Sequence, residues 1–220
     1  MGSISANKLG GLGLLVGPGF ATLVFLVVFM VLGTTGSGDP RNFEATFDKQ
    51  SSLAHFLGLL PGISLIFFLY GLNALGNDIK KNGQNEALFR LGSMGVFFGI
   101  LGIVLSTGLN SATQFDGLSG LPTGYQYTIN LIGGATQSYT GPIFSIGFTL
   151  IALAVSSNRN GVQKILAYIV AVIGLINIVA SFINFVDTST WEATFIITPI
   201  TYLVVSIWTA TLGLDLMKKA

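Results

Sequence analysis

Six apolar stretches, at about 10–33, 53–76, 90–109, 139–157, 163–186 and 194–217, constrain this chain more than anything else in it. Each is close to the roughly 20 helical residues needed to cross about 30 Å of hydrocarbon. Lipid offers backbone N–H and C=O groups no hydrogen-bond partners, so a spanning segment of this kind must satisfy them internally, as a helix does. The expected fold is therefore an all-α, polytopic six-transmembrane-helix bundle, a single domain over residues 1–220. Composition agrees. Only 9% of residues are charged and 51% are hydrophobic, against about 25% charged in an ordinary soluble domain, so most of the surface must meet membrane lipids. The first stretch, preceded by Lys8, is too long for the 7–15 apolar residues of a signal peptide and reads as a retained helix.

The basic residues orient the bundle. Six spans place Lys8, Lys80, Lys81, Arg90, Arg159, Lys164, Lys218 and Lys219 on one side and only Arg41 and Lys49 on the other. That side is expected to be the cytoplasmic face of the cell membrane, with both termini on it. A five- or seven-span arrangement would scramble this partition. Ser189-Thr190-Trp191-Glu192 reads as a capping box opening the last helix, and Asn160 with Gln163 as a similar device for the fifth. Asp39-Pro40 reads as an N-cap and N1 pair, with Phe43 and Phe47 on one face of a short surface helix. Trp191, Tyr139 and Phe56 fit an outer aromatic belt; Phe89, Tyr168 and Tyr70 fit an inner one. The second and third helices resemble the fourth and fifth in layout, Pro61-Gly62 pairing with Gly141-Pro142, which allows either a parallel repeat or chance.

Between helices in lipid, association depends on close backbone approach and on interhelical hydrogen bonds. In the third stretch Gly92, Gly95, Gly99, Gly102 and Ser106 recur at spacings of three and four. In the fifth, Ala167, Ala171, Gly174, Asn177, Ser181 and Asn184 do the same. Gly13/Gly17 and Gly58/Gly62 are shorter pairs. These stripes predict that the third and fifth helices are central and pack through them; a ligand groove or a face for another protein's helix are the competing uses.

Chemistry is harder to find. With no cysteine and only His55 as histidine, thiolate reactions, iron–sulfur clusters, bis-histidine haem and multi-histidine metal centres are excluded. No cofactor or metal is expected, and His55 reads as an interfacial residue. The nine acids, Asp39, Glu44, Asp48, Asp78, Glu86, Asp116, Asp187, Glu192 and Asp215, fall in loops or at helix ends, which disfavours a proton- or ion-driven pump. No phosphate loop, nucleophile elbow or metal-protease motif occurs, and no basic run suits nucleic acid. Catalysis is not expected.

Two places are left for a site. Asn177, near the middle of its helix, must find a partner, either as interhelical glue or as a ligand-binding amide. If the third, fifth and sixth helices adjoin, Asn110, Asn184, Asp187, Glu192, Thr194 and Thr198 converge on an outward-facing polar cavity, with Pro199 loosening the last helix beside it. The stretch 110–138, nearly uncharged and rich in Gly, Thr, Ser and Gln, reads as a long outer loop, re-entrant or a docking surface. Two functions fit. One is a non-catalytic subunit or accessory of a larger membrane complex, packing on other membrane protein subunits. The other is a small carrier or receptor for a neutral solute or lipid.

Overall fold

The computed structural model describes residues 4–31, 51–82, 85–112, 123–187, 190 and 197–219. Six helices account for nearly all of them: α1 (Ala6–Val31), α2 (Ser51–Asn82), α3 (Glu86–Ala112), α4 (Thr123–Asn158), α5 (Gly161–Val186) and α6 (Ile197–Lys218). No strand occurs among the described residues. Five segments are long and apolar enough to cross a membrane: Leu60–Lys81, Glu86–Leu109, Leu131–Asn158, Gly161–Val186 and Pro199–Lys218. Such a set marks a multi-pass membrane protein.

The helices form a closed ring of two triplets. In one, α1 lies between α2 and α6; in the other, α4 lies between α3 and α5. The triplets join where α2 meets α3 and where α5 meets α6, with a narrow approach of α2 to α4 in the middle. Centrality thus belongs to α1 and α4, not to the third and fifth helices as the stripes suggest. Of the five spanning segments, that of α4 is the most buried and that of α5 the least. A small-residue stripe reports how closely a helix approaches one neighbour, not how many neighbours it has. The α2–α3 pair is loosely joined and α4–α5 closely packed, so the two hairpins are not alike in packing.

Inside each triplet, backbone meets backbone. A Cβ on Gly147 of α4 would lie 2.7 Å from the Gly92 carbonyl oxygen of α3, and one on Gly92 equally near the Gly147 oxygen. In the other triplet, a Cβ on Gly17 would lie 2.7 Å from Phe68 Cβ and 2.9 Å from the Ser64 oxygen. A Cβ on Gly11 would sit 2.6 Å from the Gly213 oxygen of α6. Between the triplets, bulky side chains meet instead. Phe68 of α2 stacks on Phe148 of α4 with centroids 5.8 Å apart. Phe144 reaches Tyr202 of α6 at 6.4 Å, and within α4 it braces Phe148 edge-on at 4.7 Å.

Several local expectations change. The helix expected near 139–157 begins at Thr123, so most of the presumed loop 110–138 is helix, and 113–122 lie outside the described residues. Hydropathy marks where lipid ends, whereas a helix continues as long as its polar side chains have partners. Thr136 Oγ1 donates to the Ile132 oxygen and Ser138 Oγ to the Gly134 oxygen, each at 2.8–2.9 Å. Asn160 makes no side-chain cap on α5; Gln163 Nε2 donates instead to the Thr211 oxygen of α6 at 3.2 Å. Gly161 has φ +59°, a left-handed turn that favours glycine. Pro199 lies within α6; the carbonyl that it would free, at residue 195, lies outside the described residues. Ser189, Trp191 and Glu192 of the capping box, with Asp39-Pro40, Phe43 and Phe47, fall outside the described residues, as do the side chains of His55 and Phe56.

Candidate functional site

The outer polar cluster does not assemble as expected. Its premise was contact among α3, α5 and α6, but α3 packs on α4 and α2 and shares no substantial interface with α5 or α6. Asn110 therefore stands at the end of a helix that α4 separates from α5; its side chain, like that of Thr198, is not described. Glu192 and Thr194 lie outside the described residues. Asn184 and Asp187 do come together. Asn184 Oδ1 accepts from Thr190 Oγ1 at 2.7 Å, and that hydroxyl also lies 2.7 Å from the Asp187 carbonyl oxygen. The Asp187 N–H closes α5 on the Ile183 oxygen at 2.8 Å. These bonds finish a helix.

Asn177 resolves toward interhelical glue. Its Nδ2 donates to Ser145 Oγ of α4 at 3.0 Å, and Ser145 Oγ in turn donates to the Gly141 oxygen at 3.1 Å. Ser181 Oγ donates to the Asn177 carbonyl at 2.8 Å. On the same α5 face, Ala171 is buried and Gly174 abuts the Thr149 hydroxyl of α4. On α3, Gly92 and Gly95 face Gly147, Gly99 faces Phe144, and Gly102 faces Thr140. Ser106, one turn on, is buried with its hydroxyl unpartnered among the described residues.

The densest charged constellation lies at the opposite end, where the start of α1 meets the end of α6. Asn7 Nδ2 of α1 donates to the Lys219 carbonyl at 3.4 Å. Beside them, Arg159, in the α4–α5 connection, reaches across to the other triplet. Its Nη2 donates to Asp78 Oδ2 of α2 at 2.6 Å and lies 3.6 Å from Asp215 Oδ2 of α6. Lys219 Nζ lies 3.1 Å from both carboxylates. The Arg159 side chain is only 9% exposed, and its Nε has no partner among the described residues. No protein-family profile, curated protein or solved structure matches the chain.

Two cations and two carboxylates neutralise one another here, so the cluster is suited to fastening one triplet to the other. Taking charges out of water is costly, and such a group holds only while every member is present. Among the described residues no group of three or more His, Asp or Glu is placed to hold a metal ion. Sequence reading weighed Arg159 and Lys219 as topology markers and Asp78 and Asp215 as helix-end acids, but did not pair them. Their shared side was visible in the sequence. Their contact was not, because it joins residues 78, 159, 215 and 219 through the packing of four helices.

Proposed function

We propose that the chain is a six-span bundle of the cell membrane, with α1 as the sixth span and both termini cytoplasmic. It serves as a non-catalytic subunit or accessory of a larger membrane complex. The observation that carries this reading is the filled seam. Phe68, Phe144, Phe148 and Tyr202 close the junction of the triplets with aromatic side chains, where a solute pathway would need polar space. The glycine faces of α1 and α3 are covered by helices of the same chain. What is left for a neighbour is the outside, above all α5. It exposes Ile165, Val172, Leu175, Val179 and Phe182 along one flank.

A second reading, a small carrier for a neutral solute or lipid, is favoured by one observation: the helices divide into two units whose junction is made largely through side chains. Purification from native membranes in mild detergent separates the two. A stoichiometric protein partner is expected; a lone monomer, particularly one carrying a bound small molecule, would overturn the subunit reading in favour of the carrier. Orientation has its own test. Because the chain has no cysteine, a single S119C replacement, outside the described residues, should react with an impermeant thiol reagent on intact cells. Labelling only after lysis would reverse the topology.

A further inference from the structure

The terminus-bearing end distributes its charge unevenly. Every acid described there is paired: Asp78 and Asp215 with Arg159 and Lys219, and Glu86 with Arg90 one turn along α3. On the α1–α2–α6 triplet this leaves Lys8, Lys80, Lys81 and Lys218, all exposed and, among the described residues, in no ion pair. The Asn7–Lys219 bond and the approach of Gly10 to Ala74 bring the start of α1 beside the ends of α6 and α2. Four lysines from three helices thus share one rim, and Arg159, contributed by the other triplet, helps to occupy Asp78 and Asp215, the carboxylates described on it.

The same rim is amphiphilic. Lys8 stands one helical turn from Leu12, which is 39% exposed, and Lys218 one turn from Leu214, which is 48% exposed. Lysine stems lie along apolar surface while the ammonium reaches polar surroundings, so each pair offers a cation at headgroup level above a surface for an acyl chain. A soluble acidic protein would match the cations but leave those leucines uncovered.

We propose that this rim binds the headgroups of anionic phospholipids in the leaflet at this end. Juxtamembrane lysines interact with anionic lipid by charge, within about 10 Å at moderate salt. The proposal rests on membrane insertion alone and stands whether the chain is a subunit or a carrier.

The test uses the full chain purified in dodecyl maltoside, with thermal unfolding followed as phosphatidylglycerol or phosphatidylcholine of matched acyl chains is added. Phosphatidylglycerol should raise the midpoint more than phosphatidylcholine, and raising salt from about 50 to 500 mM should abolish the difference. The combined K8Q/K80Q/K81Q/K218Q variant should bind phosphatidylglycerol at least tenfold more weakly, while K164Q, on α5, keeps the wild-type response. Should the fourfold variant misfold, the paired variants K80Q/K81Q and K8Q/K218Q should each lose part of the effect. Equal responses to the two lipids, a salt-insensitive difference, or an undiminished response in the lysine variants would refute the proposal. So would the same midpoint shift with inorganic phosphate alone, which indicates a free-anion site. An acidic protein that co-purifies with wild type and is lost in K8Q/K80Q/K81Q/K218Q would do so too.

Discussion

The interior of each triplet and the seam between the triplets are built by different means. Inside, glycine removes the side chain so that α3 and α4, or α1 and α2, meet at their backbones; Gly147 and Gly92 face each other with no room for a methyl group. At the seam, the helices stand apart and the space is filled by stacked and edge-on rings, with ion pairs closing one end. A backbone contact cannot yield, because moving it moves a helix. A contact between side chains can repack, since rotamers and rings have alternatives. The triplets should therefore behave as stiff units, and the seam should be where the protein tolerates change.

That contrast can be broken by substitution. The largest effect is expected at Gly147→Leu, which forces apart α3 and α4; overpacking of this kind costs about 3 kcal/mol or more, and little folded protein should survive size-exclusion in detergent. Gly99→Leu, driven into Phe144, should follow it closely. Gly108→Leu on the same helix, where a Cβ meets nothing within 4 Å, should behave like wild type. Were Gly108→Leu as damaging as Gly147→Leu, the contrast would be wrong. At the seam, Phe68→Ala should leave the fold intact but cost about 3 kcal/mol through the cavity it opens, read as a lowered unfolding midpoint. Arg159→Gln should cost about 2 kcal/mol, because Asp78 and Asp215 would then face each other with Lys219 alone to balance them. The combined Arg159→Gln/Asp78→Asn variant should recover part of that loss, and a variant as unstable as Arg159→Gln would show that charge balance is not what the cluster supplies. The smallest destabilisation is expected at Asn177→Ala, about 0.6 kcal/mol, the size of a typical interhelical hydrogen bond in lipid.

Sequence reading located the helices because lipid imposes a length and a composition that can be counted. It misplaced the start of α4, since Thr136, Ser138 and their neighbours are polar enough to look like loop while bonding to their own helix backbone. It placed the α3 stripe on a helix interface but could not say which helix lay opposite, because Gly92, Gly95 and Gly99 record only that something comes close. Gln163 was read as a cap because a local role is the only kind that spacing can suggest; its partner, Thr211, is on another helix. The expected adjacency of the third helix to the fifth and sixth failed for the same reason. Asn110 and Asn184 both stand near the C-terminal ends of their helices, but a matching position along two helices does not make neighbours.

The two triplets also differ in when they can exist. Helices α3, α4 and α5 are consecutive, so their unit is complete once the chain has been made to about residue 186. The other cannot close until α6 has been synthesised, because Gly11 of the first helix rests on Gly213 of the last. During insertion, α1 must wait beside α2 with its second glycine face uncovered. The start of the chain is thus the last part to find its permanent neighbour, and a nascent chain stalled before residue 197 should be the form most exposed to quality-control proteases.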